Sequence, residues 1–161
     1  MIIWPERFHP SRASVFVSNQ IEISAPIGEV WACMIEAIRW PAWYPNSRNI
    51  RIDGGADRLG EKTRFRWTTF GLRLQSQVEE WQPPFRLAWS ARCIGVDAYH
   101  AWEFRETNAG THVLTEETQY GTLAVAGNFL MPRRMSRFHQ IWLERLASRV
   151  KAGNATSPAG V

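Results

Sequence analysis

The chain has little of what marks a secreted scaffold, a metalloprotein or a membrane protein. Its 161 residues include two cysteines, Cys33 and Cys93, which excludes a disulfide framework; each stands among apolar neighbours, as a small buried hydrophobe does. No run of about 20 apolar residues is available to span a bilayer. The opening MIIWPERFHPSR lacks the continuous apolar core of a signal peptide, so a cytoplasmic location is expected. His9, His100, His112 and His139 share no metal-ligand spacing and no clustered carboxylates, so no metal is expected. A glycine-rich phosphate loop, a nucleophile elbow and a nucleic-acid module are also missing, which leaves neither a cofactor nor a nucleic-acid partner in view. No repeat or linker divides the chain, and its length suits one domain.

Charge is modest. Nineteen basic and fifteen acidic residues give a net +4, spread along the sequence. Arg133, Arg134 and Arg137 form the densest basic cluster; such a cluster either faces solvent or meets phosphate or lipid headgroups.

Aromatic residues are abundant instead: nine tryptophans, eight phenylalanines and three tyrosines. Large rigid rings suit a wide interior or an apolar site. WPAWYP, residues 40–45, concentrates two tryptophans and a tyrosine between prolines that neither a helix interior nor a central strand tolerates. A short second helix or bent turn is expected there, its rings packed on another element.

Residues 1–13 lack periodicity and read as a mobile N-terminal arm. Val15, Val17, Asn19, Ile21 and Ile23 then alternate on one face of a strand. Ser24-Ala25-Pro26 reads as a helix start with Ser24 as N-cap, and Ile27, Val30, Trp31, Met34, Ile35 and Ile38 follow at helical spacing. Six short strands separated by turn residues come next, as in an antiparallel meander. Residues 123–151 return to helical period, interrupted at Pro132, where a kink or late start is expected. Residues 152–161 read as a disordered tail. The arrangement is α+β, in the order one strand, two helices, six strands, one long helix, with the helix covering the apolar face of a curved sheet of about seven strands.

Four stretches in this order carry a resemblance: IEISAPIGEVW (21–31), WPAWYPNSRNI (40–50), the strand–proline–strand of 79–89, and GTHVLTEETQYG (110–121). Over residues 14–151 they resemble the START-like (Bet v 1-like, SRPBCC) superfamily, and most its polyketide cyclase/dehydrase-like branch. That resemblance implies a helix-grip fold with a cavity between sheet and helix that takes a hydrophobic small molecule or lipid. Periodicity names the lining: Phe65, Trp67, Leu74, Ser76, Trp89, His100, Trp102, Thr115 and Glu117 from strands; Met131, Met135, Phe138 and Trp142 from the helix; Trp43 and Tyr44 at the mouth.

Two polar residues on these apolar faces are candidate catalytic groups. His100 is in phase with Trp102 and Phe104, and histidine titrates near neutral pH. Glu117 points inward on the register the resemblance suggests; a slip of one residue would present Glu116 instead. Three functions stay open: binding of a hydrophobic ligand, as monomer or homodimer; a cyclase/aromatase-like enzyme using His100 or Glu117 as acid or base; and an interaction module with WPAWYP and the arginines as an exposed protein or membrane patch, without stable membrane insertion. The first two separate on whether His100 and Glu117 converge.

Overall fold

In the computed structural model, which describes residues 1–156, seven strands form one antiparallel sheet: β1 (Val15–Ile23), β2 (Arg48–Ile52), β3 (Arg64–Thr69), β4 (Leu72–Gln82), β5 (Arg86–Cys93), β6 (Val96–Thr107) and β7 (Gly110–Tyr120). The order across the sheet is β1-β7-β6-β5-β4-β3-β2, so the last six strands are a meander closed by β1. Phe70-Gly71 turns β3 into β4 with both φ angles positive (52° and 82°), the geometry that favours a tight two-residue hairpin. A bulge between Val78 and Glu80 interrupts β4 and adds to the twist of the sheet.

The α-helices among the described residues are α1 (Ile27–Ile35), α2 (Trp40–Trp43), α3 (Thr122–Leu130) and α4 (Arg134–Thr156). The long terminal helix is thus broken at Met131–Arg133, where Pro132 cannot donate an intrahelical hydrogen bond. The N-cap of α1 is Pro26, which offers no side-chain cap, so Ser24 is not the N-cap. α4 lies along the concave face. Asn19 on β1 ties to it, donating to Gln140 at 3.2 Å and accepting from Ser136 at 3.4 Å.

Aromatic rings fill one end of the interior. Trp40 is fully buried, donates its indole N–H to the Met34 carbonyl at 2.8 Å, and packs within 6.2 Å, centroid to centroid, of Phe65, Trp67, Trp89 and Trp142. Tyr44 stacks on Trp142 at 4.2 Å. The prolines of WPAWYP bend the chain so that these rings enter the core. The exposed patch that an interaction module needs from this segment does not form, because Trp40 and Tyr44 are buried and Trp43 is half-buried.

Two readings of the termini are corrected. Residues 1–13 are not a mobile arm. Ile2 and Phe8 are buried, Phe8 stacks on Tyr99 at 5.3 Å, and the Thr118 hydroxyl donates to the Phe8 carbonyl at 3.0 Å. The outer face of β5 and β6 presents Tyr99 with the small residues Ala88 and Ala101, an apolar patch that the arm covers. At the other end α4 continues to Thr156, so residues 152–156 are helical; the rest of the expected tail lies outside the described residues.

Candidate functional site

Between the concave face, α3 and the start of α4 lies a pocket of about 340 Å³, within the size range of small-molecule sites. Its walls are mostly apolar, with Val15, Leu74, Trp89, Ala98, Met135 and Trp142 among the lining residues. A polar cluster stands where β6, β7 and α4 meet, His100, Glu117, Gln119 and His139, and Thr69, Asn128 and Arg134 add polar groups elsewhere in the lining.

Register builds this end. His100 stands directly opposite Glu117, and Trp102 opposite Thr115. Glu117 therefore faces inward, while Glu116 turns out to accept a hydrogen bond from Ser18 at 2.9 Å. Helical phase supplies the remaining group, because Met135, His139 and Trp142 fall at i, i+4 and i+7 on the inner side of α4. His139 Nε2 donates to Glu117 Oε2 at 3.1 Å, and His100 Nδ1 lies 3.2 Å from the same oxygen. The Gln119 amide donates to Glu117 Oε1 at 2.6 Å, and His100 Nε2 pairs with the buried Thr115 hydroxyl at 2.7 Å. The imidazoles of His100 and His139 lie parallel, 4.6 Å apart.

A carboxylate only accepts, so the hydrogen of a neutral His139 sits on Nε2 and Nδ1 is left with a lone pair. That Nδ1 is buried without a partner. Burial pulls His100 down to about 3, the Glu117 charge opposing and His139 adding to the fall, so the ring is neutral at pH 7. Burial by itself would raise Glu117. The attraction of His100, which acts only where that ring takes a proton, and the hydrogen bonds from His139 and Gln119 outweigh it and hold the carboxyl below its usual range. Of the three, Glu117 is the most open, its side chain 12% exposed against 3% for His100 and 2% for His139.

Nine expected lining residues reach the pocket: Tyr44, Trp67, Leu74, Trp89, His100, Glu117, Met131, Met135 and Trp142. Six do not. Phe65 and Trp102 are buried in the ring cluster behind it. Ser76 accepts the Trp67 indole N–H at 3.1 Å, and Thr115 stands behind His100. Phe138 packs edge-on against Phe70, and Trp43 lies at the edge of the core. His139 is the residue that sequence reasoning missed, although its phase with Met135 and Trp142 was there to be read.

The expected lack of clustering is corrected as well: folding brings His100, His139 and Glu117 together, with one ligand atom of each within 4.8 Å of the others. Imidazole nitrogen and carboxylate oxygen are donors that zinc accepts. A ligating histidine, however, normally gives its second N–H to an acceptor, and His139 Nδ1 has none. Each oxygen of this carboxylate already accepts a hydrogen bond, Oε2 from His139 and Oε1 from Gln119, and keeps a further lone pair.

The comparisons agree with the fold. The sequence model of a protein family described as polyketide cyclase/dehydrase and lipid transport matches residues 14–151. A hypothetical protein of Helicobacter pylori, jhp0584, is 31% identical, with a TM-score of 0.86 over 93% of this chain and 96% of that one. TTHA0849 of Thermus thermophilus is 21% identical, with a TM-score of 0.70 over 89% of this chain and all of that one. The di-domain ARO/CYC protein StfQ of the steffimycin biosynthetic pathway is 14% identical, with a TM-score of 0.69 over 88% of this chain and 52% of its own. No curated protein matches the chain.

Proposed function

The chain belongs to the polyketide cyclase/dehydrase and lipid transport family, and on that premise we propose that it binds a hydrophobic small molecule beneath α3, anchored by Glu117. The observation that carries this reading is the pocket itself, whose walls are mostly apolar and which an ionised carboxylate, already ordered by its neighbours, faces from its inner end. Apolar burial supplies affinity at about 25 cal/mol per Å². The carboxylate selects an orientation, since a hydroxyl or amine on the guest must meet Glu117 to offset its own desolvation.

A second reading, cyclase- or dehydratase-type proton transfer, draws on the convergence of two imidazoles on one carboxylate oxygen. Convergence was the feature expected of an enzyme. Yet His100 and Glu117 both titrate well below neutral pH, whereas an efficient general acid or base titrates near the working pH. Both groups are better suited to holding a ligand than to moving its protons.

The test is a titration with a long-chain alkylphenol, followed by tryptophan fluorescence. Ala98, buried on β6, lines the pocket, so Ala98→Phe fills it from within. Saturable binding by the wild type, lost in a folded A98F protein, supports ligand binding; equal binding by both refutes it. A cyclised or dehydrated product made from a poly-β-ketone by the wild type, and not by E117Q, would establish the second reading instead.

A further inference from the structure

The outer side of α3 is unlike the rest of the surface. Residues 121–132 contain no charged side chain. Ala124 is buried and, with Gly127 and Leu130, lines the pocket. Phe129, 84% exposed, and Val125, 48% exposed, stand clear of the pocket, while Leu130 (73%), Leu123 (48%) and Met131 (45%) are exposed at its rim. Ile94, 93% exposed, stands in the β5–β6 turn on which α3 begins, where the Leu123 N–H bonds the Gly95 carbonyl at 3.0 Å. Single exposed apolar residues are ordinary, but a contiguous group of this kind marks a contact surface.

Charge identifies the partner. Immediately beyond the break, Arg133, Arg134 and Arg137 are all exposed, and among the described residues no carboxylate pairs with any of them. The Arg134 guanidinium sits over the Phe70 ring, 5.2 Å from its centroid, on the same rim of the pocket. An acidic protein groove would match the arginines but gives no reason for uncharged apolar side chains over a helix and the adjoining turn. A bilayer with anionic headgroups matches both: apolar residues enter the acyl boundary while basic ones stay at headgroup level.

We propose that α3, Ile94 and the three arginines form the face by which this protein docks on an anionic membrane surface, laying the wall of its pocket against the bilayer. Docking is peripheral, since among the described residues no helix is long and apolar enough to cross a membrane. The proposal stands apart from the ligand reading, because it rests on the exposed side chains of α3 and the pocket rim and not on Glu117.

The experiment is flotation of the full chain with phosphatidylcholine vesicles, with and without phosphatidylglycerol. The wild type should float only with the anionic vesicles, and less as salt is raised. Each arginine near such a surface contributes about fivefold, so R133Q/R137Q should weaken binding by roughly 30-fold. V125E/F129E changes only exposed side chains that do not line the pocket and should weaken it by roughly 100-fold or more, with the circular dichroism spectrum unchanged. Failure to float with phosphatidylglycerol overturns the proposal, and so does flotation indifferent to both variants. Ultracentrifugation decides the other occupant: a wild-type dimer that V125E/F129E dissolves would assign this face to a second copy and also overturn it. Vesicle binding by A98F, whose pocket is filled, would leave docking intact even where ligand binding is lost.

Discussion

Acid should destabilise this fold through His100 before any carboxylate is protonated. The buried ring is held neutral, with its pKa moved from 6.5 down to about 3. In the unfolded chain it takes up a proton below its ordinary value, so the unfolded state binds more protons in this window and stability falls as pH falls. The slope for one such group approaches about 1.4 kcal/mol per pH unit as the unfolded ring is protonated, which integrates to roughly 1.6 kcal/mol between pH 6.5 and pH 5. Glu117 adds a loss of the same sign at lower pH: its folded pKa is depressed, so its contribution is complete above the unfolded value of 4.5 and disappears as pH falls through the folded one. The interval from 6.5 to 5 therefore isolates His100 from Glu117. Urea unfolding at pH 7, 6, 5.5 and 5 measures it, with His100→Gln as the control that removes the titrating group while keeping a partner for Thr115. The wild type should lose stability over this range and H100Q should lose much less. Parallel curves for the two proteins would refute a neutral buried imidazole.

Other consequences follow from the same geometry. Trp40→Ala should cost roughly 3–5 kcal/mol in urea unfolding, because it empties the centre of the ring cluster; a loss below about 1 kcal/mol would mean that the rings close over the gap. Phe8→Ala should cost about 3 kcal/mol if the N-terminal segment is docked as described, and almost nothing if it moves freely. Glu117→Gln should weaken an alkylphenol by roughly 10- to 100-fold in calorimetry, the range of a hydrogen bond to a charged group, and leave the matching alkylbenzene unchanged. Added Zn²⁺ should be removed on desalting; one retained equivalent, lost in H139A, would replace the hydrogen-bonded carboxylate with a metal centre.

Much of the sheet was legible from alternation, which fails in β5 and β6, where residues 87–89 and 98–102 are buried on both faces. Val15, Trp67, Leu74, Trp89 and His100 sit on the concave side as period two predicts. Glu117 was harder, because its strand is polar on both faces, and only pairing with β1 and β6 fixes its direction. The helix was misread by one position. Phe138 looked like the apolar member of the inner stripe, but a step of one residue turns about 100° around a helix, and His139 takes that place. The N-terminal segment has no period, so its docking depends on a patch assembled from Ala88, Tyr99 and Ala101, residues far from it in sequence. The size of the pocket could not be read at all. WPAWYP announces buried rings, but only their packing decides how much of the interior Trp40 fills and how much stays open beneath α3.

The most direct measurement is native mass spectrometry of the freshly purified protein, with solvent extraction of whatever it carries. Ligand binding in the pocket predicts one small apolar compound per chain on the wild type and none on A98F. Bare mass for both, in a protein that also fails to take up the alkylphenol, would contradict it.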